Sequence, residues 1–229
     1  MNTYQERPRK GGGTESLLAG TPPFNYVWRR LLPIAFTAEN AQKVHAGTKT
    51  QTRRLLNPQP EKMASHSFEH PSEGWWTVGD NTGRIWKPRY RVGDVLWVQE
   101  PWRTGDCTDK IKPTCLHESV PIHYESDKRD FTGKFRGKLR PGRFLPLRFA
   151  RPHRYEVTAV RLERVNEITQ DDGEAEGCAP DNYSEALERN EYISAANRFK
   201  LLWNSIHIKP GTRFEDAPWC FVYEWRKLL

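Results

Sequence analysis

Between Phe36 and Leu56 the chain reads FTAENAQKVHAGTKTQTRRLL, and this stretch limits the fold more than any other. Thr37 is a candidate N-cap, Ala38 to Ala46 are tolerable helix formers, and Gly47 sits where a left-handed C-cap residue belongs. A short helix therefore ends at a glycine stop. Lys49, Thr50, Thr52, Arg53 and Arg54 follow, and with Leu55 and Leu56 behind them they favour an extended strand. The first half of that strand has little apolar surface to give a core. It offers a polar or anionic ligand a row of hydroxyls and cations.

Other elements group around this one. Ile34 to Phe36 reads as a short strand feeding the helix. Val92 to Trp102 is the clearest strand, entered by a Gly93-Asp94 turn. Val95, Trp97 and Gln99 point one way along it, and Leu96, Val98 and Glu100 the other. Glu100 thus shares a face with core-like residues, where a carboxylate either pairs with an Arg or lines a pocket. Arg143 to Ala150 and His153 to Arg164 read as two further strands. Ile168 to Cys178 reads as a short helix capped by Thr169, with Asp171, Asp172 and Glu174 placed where the helix dipole favours acids. A second helix over Glu191 to Ile206 carries an apolar stripe of Ala195, Phe199, Leu202 and Ile206. Pro218 to Trp225 closes the chain as an aromatic strand. The pattern predicts an α+β fold, a mixed β-barrel with about three flanking helices.

Two insertions interrupt it. Residues 1 to 32 read as a flexible basic arm, with Phe24 to Leu32 able to dock it, and the domain runs from 33 to 229. The first insertion, at about residues 57–91, is broken by Pro58, Pro60, Pro71 and Pro88 yet carries Trp75, Trp76, Trp86 and Tyr90. Those aromatics fit a small hairpin packed over the barrel mouth, or else a stacking platform for a base. The second insertion, at about residues 103–142, is polar, lacks clear periodicity and ends in the basic run GKFRGKLRPGR.

A chain of 229 residues can bury a core of its own without staples. Its opening, MNTYQERPRKGGG, lacks the apolar centre of a secretion signal, and no run approaches the roughly 20 apolar residues of a membrane span. A cytoplasmic protein with no membrane partner and four reduced cysteines is expected. Cys107, Cys115, His117 and His123 match no common zinc spacing, so neither a metal nor another cofactor is expected. Charge is unevenly spread. Lys128 to Arg164 holds twelve Lys or Arg against three acids, a local net of +9, and Glu167 to Glu191 holds nine acids against one Arg, a local net of −8. The basic block fits a polyanion partner, or a solvated face balanced by the acids beside it.

Gly47 to Arg54, GTKTQTRR, resembles the G-x-K-x-x-T-x-R signature of ASCH domains, small barrels related to the PUA fold. The resemblance continues in order through Val92 to Val98, Val157 to Thr169 with Glu176-Gly177, Phe199 to Ile206 and Pro218 to Arg226, and so covers roughly residues 33 to 227. One branch of that family hydrolyses N4-acetylcytidine, and its proposed catalytic set falls on Lys49, Thr52 and Glu176. The resemblance implies a threonine nucleophile, a lysine base lowered in basicity by burial or by Arg53 and Arg54, and a glutamate that orients the lysine or exchanges protons with the leaving amine. Residues three apart on a regular strand face opposite sides, so Lys49 and Thr52 converge only if Lys49 still belongs to the turn after Gly47 or a bulge intervenes. With its long insertions the chain more closely resembles the larger, often phage-encoded ASCH proteins. A second implication is RNA binding or cleavage, with DNA a further possibility. In that case Arg53, Arg54, Arg140, Arg143 and Arg151 hold phosphates, Glu100 lines the substrate site, and Phe135, Phe144 and Phe149 interleave the cations.

Overall fold

A computed structural model describes residues 29–60, 63–70, 75–127, 137–179 and 193–228, with side chains described outside 63–78. Its centre is a five-stranded mixed sheet. The strands are β1 (Leu31–Ala35), β2 (Gln51–Leu55), β6 (Val95–Gln99), β9 (Arg154–Arg164) and β10 (Trp219–Leu228), in the order β1-β6-β9-β10-β2. β1 runs parallel to β6, and every other pairing is antiparallel. β1 and β2 form the two edges, and no strand pairing joins them among the described residues. The chain is therefore α+β, with an open sheet where sequence periodicity suggests a barrel. β1 begins at Leu31, so the last two residues of the expected arm belong to the sheet.

Local rules place the first helix. In α1 (Ala38–Ala46), the Thr37 hydroxyl accepts from the Asn40 amide, and Gly47 takes a left-handed φ of 81°. Ala41 and Val44, one turn apart, are buried against the sheet. They join Ile34, Leu96, Val98, Tyr155, Val157, Phe221 and Tyr223 in the main core. Side chains of this size each contribute about 1.5–3 kcal/mol on burial.

β9 and β10 pair along nearly their whole length, with a bulge between Glu224 and Trp225. Behind them lies a second core, formed by Val165, Ile168, Cys178, Phe199, Trp203 and Cys220. It is closed by α2 (Gln170–Gly173), the wide π-type turn Glu174–Cys178 that continues it, and α3 (Ala195–Ile206). Along α3 the buried positions are Ala195, Phe199 and Trp203. Ile206 is 58% exposed, because the helix ends there and the chain turns away.

The first insertion forms a three-stranded sheet of β3 (Met63–His70), β4 (Trp75–Asp80) and β5 (Ile85–Trp86). Trp86 and Tyr90 pack into the main core, and the Trp86 indole donates to the Pro58 carbonyl. The side chains of Trp75 and Trp76 lie outside the described residues. The second insertion has its own core of Trp102, Leu116, Leu145 and Phe149 beside β7 (Trp102–Arg103) and β8 (His123–Tyr124). Arg143 to Ala150, expected as a strand, is two short 3-10 turns, Gly142–Phe144 and Leu147–Phe149. Pro141 and Pro146 precede them, and proline can neither donate to a ladder nor leave its fixed φ.

Candidate active site

Lys49 stands in the turn after Gly47, just before β2. Its backbone amide donates to the Lys43 carbonyl, and the next amide, of Thr50, donates to the Ala175 carbonyl at 2.8 Å. The π-type turn is thereby held against the start of β2. Gly177 makes the approach feasible: its φ is 78°, and a Cβ there would lie 3.2 Å from Lys49 Cβ. The Lys49 ammonium donates to the Glu176 carboxylate at 2.6 Å and to the Glu176 backbone carbonyl at 2.8 Å. Both side chains are 3% exposed.

Arg53 completes the cluster from β2. Its guanidinium reaches Glu176 Oε1 at 3.3 Å, Glu163 Oε2 at 2.9 Å and Asp172 Oδ2 at 3.1 Å, and lies 5.7 Å from the centre of the Phe199 ring. Arg161 extends the network, meeting Glu163, Glu224, Asp172 at 2.7 Å and Gln51 Oε1 at 3.1 Å. Burial alone would push the Asp172 carboxyl up, but the Thr169 backbone amide and the charge of Arg53 outweigh it and hold that carboxyl below the usual range. Thr52 is buried on the same strand, opposite Tyr223 in the ladder, and its hydroxyl takes no part in these hydrogen bonds. Lys49 and Glu176 are thus in contact, whereas Thr52 lies three residues beyond Lys49 and no hydrogen bond shown joins it to either.

A cleft of about 250 Å³ opens beside this network, lined by Thr50, Gln51, Thr158, Asp171, Asp172 and Glu224 among others. Of the three carboxylates among its eight lining residues, Asp172 and Glu224 are already paired with Arg161.

Of the remaining expected site residues, Arg54 lies near enough to feel the charge of Glu176, and Glu100, Arg140, Arg143 and Arg151 lie elsewhere. Arg54 is exposed, 5.2 Å from the Phe36 ring centre, and donates to the Ala35 carbonyl. Arg143 is exposed beside Phe144, 4.8 Å from that ring's centre. Arg140 is buried, donating to the carbonyls of Thr108 and Ile111 at 2.9 and 3.0 Å, so it ties the second insertion together. Glu100 is fully buried and takes a hydrogen bond from Arg151 Nε at 2.8 Å, another from Ser126, and a contact from His45 Nε2 at 3.0 Å. The other His45 nitrogen lies 2.9 Å from the Tyr155 hydroxyl. Of the two environments that suit a carboxylate on that face, Glu100 has the Arg partner.

Sequence reading did not single out Arg161, Glu163 or His45. A faint signal existed in β9, where charged Arg161 and Glu163 fall in an otherwise alternating strand. His117 meets Ser119, and among the described residues no group of three or more His, Cys, Asp or Glu is placed to hold a metal ion. No helix among them is long and apolar enough to cross a membrane.

No family model, characterised protein or solved structure matches this chain.

Proposed function

We propose that this chain is an ASCH-type hydrolase that cleaves the amide of an N4-acylated cytidine, built on an open variant of the PUA-like barrel. The observation that carries the reading is the buried contact between Lys49 and Glu176 at 2.6 Å. An ammonium has three N–H groups, and two of Lys49's are spent on Glu176. In this reading its third direction faces the substrate. In the proposed reaction the Thr52 hydroxyl attacks the acyl carbon and passes its proton to Lys49, which gives one of its own to Glu176 Oε2 across the 2.6 Å contact. The resulting tetrahedral centre collapses, and N4 of cytosine leaves with the proton from Lys49. Water then hydrolyses the acyl-threonine ester, releasing the carboxylic acid and restoring Thr52. Glu176 orients Lys49 throughout.

The placement of Arg53, Arg140 and Arg151, each committed to partners within the protein, supports a neutral nucleoside over a phosphate chain. A second reading, RNA binding without catalysis, draws on the exposed Arg143–Phe144 pair and the basic block around it.

Release of cytidine from N4-acetylcytidine, followed by chromatography, tests the first reading. Lys49→Ala and Thr52→Ala are expected to lower turnover by a factor on the order of 10² to 10⁴. Full turnover in both variants overturns it. Absence of turnover with salt-dependent RNA binding, weakened by Arg143→Ala and unchanged by Thr52→Ala, favours the second reading.

A further inference from the structure

We infer that Arg53 is a positioning residue, fixing Glu176 so that Lys49 can face its substrate in a single orientation. This rests on the hydrolase reading for its catalytic meaning, and on geometry for its structural one.

The Glu176 carboxylate is held at both oxygens. Oε2 receives Lys49 at 2.6 Å and Oε1 receives Arg53 Nη1 at 3.3 Å. A carboxylate tied at one oxygen can rotate about its terminal bond, whereas one tied at both cannot without losing a partner. Lys49 in turn hangs on that carboxylate and on the carbonyl of the same residue. The direction of its third N–H, or of the lone pair that replaces it, is therefore set by where Arg53 holds Glu176.

Arg53 can do this because it is itself immobile. Its side chain is 1% exposed. Glu163 comes to it from β9 and Asp172 from α2, at 2.9 and 3.1 Å, and Phe199 of α3 covers it. Arg161 binds both of those acids from behind. A planar guanidinium reaching three carboxylates from two further elements is a rigid fork that a lysine cannot reproduce.

The test reads Lys49 directly. The ¹⁵N–¹H signal of a lysine ammonium is visible when hydrogen bonds slow its exchange with water, and the Lys49 signal is assigned by its loss in Lys49→Met. In Arg53→Gln that exchange is expected to quicken at least tenfold. The kcat for N4-acetylcytidine is expected to fall by a factor on the order of 10 to 10², the scale of a small misplacement of a catalytic group, with KM changing less than about threefold. Arg53→Lys is expected to restore part of kcat. Unchanged exchange in folded Arg53→Gln overturns the proposal. Should that variant fail to fold, Asp172→Asn carries the test, since it removes one anchor and leaves Glu163. Faster Lys49 exchange there supports the proposal, and unchanged exchange overturns it. If the unaltered protein hydrolyses nothing yet exchange quickens as expected, the hydrolase reading falls and the positioning role stands.

Discussion

The ammonium of Lys49 and the carboxylate of Glu176 meet at 2.6 Å across 127 residues of sequence, and each side chain is 3% exposed. Charges so placed depend on one another, and removing one partner of a buried pair costs about 3–5 kcal/mol. The two partners are not equivalent. Lys49→Met leaves Glu176 with Arg53, whereas Glu176→Gln leaves Lys49 without its carboxylate and Arg53 with one acid fewer. Urea unfolding is expected to rank Glu176→Gln as the more destabilising change, and the double variant as less damaging than the two single effects added. The reverse ranking would show that Arg53 does not share the carboxylate.

Two glycines with the same backbone conformation are expected to respond differently to alanine. Gly47 has φ 81° and open space where a Cβ would go, so Gly47→Ala bears only the left-handed cost of about 1 kcal/mol. Gly177 has φ 78°, but its Cβ would press on Lys49 Cβ at 3.2 Å and Lys43 Cδ at 3.1 Å. Gly177→Ala is expected to cost more stability and to lower hydrolysis as well, through displacement of Lys49. Equal thermal shifts in the two variants would contradict this.

Glu100 gives the protein a defined acid response. Burial alone would raise its carboxyl, but contacts from His45 and Ser126 and the charge of Arg151 outweigh it, so the folded value lies below the ordinary 4.5. A depressed carboxyl contributes stability that is complete above the unfolded value and is lost as pH falls through the folded one. The gap in unfolding free energy between the unaltered protein and Glu100→Gln is therefore expected to be widest near neutrality and to narrow as pH drops below 4.5. A gap that stays constant down to pH 3 would remove Glu100 from the acid response.

Thiol reactivity divides the four cysteines. Cys107 and Cys115 are exposed, whereas Cys178 and Cys220 are buried. Burial pushes both buried thiols up, Cys220 to about 12, which suppresses the reactive thiolate. A chromogenic disulfide reagent is expected to titrate two thiols rapidly in the native protein and all four after unfolding. Rapid reaction of a third would show that the core around Val165 and Trp203 opens readily.

What could be read from the sequence follows the range of the forces involved. The caps of α1 and α2, the glycine stop at Gly47 and the Gly93-Asp94 turn depend on neighbours within four residues, so local rules suffice. Pro141 and Pro146 carried an equally local signal against a strand. Arg53 is the opposite case. Its sequence neighbours suggest a ligand-facing cation, yet the acids that make its burial tolerable lie 110 residues away at Glu163 and 123 away at Glu176. Arg140 and Arg151 likewise owe their placement to carbonyls and a carboxylate that only folding brings near.

The sequence by itself determined the caps of the first helices, the α+β class, and which cations and acids the chain has available. Tertiary structure alone decided which of those charges face each other. A buried charge is stable only beside a counter-charge or enough hydrogen-bond acceptors, and the partners here come from separate segments that only the folded core brings together.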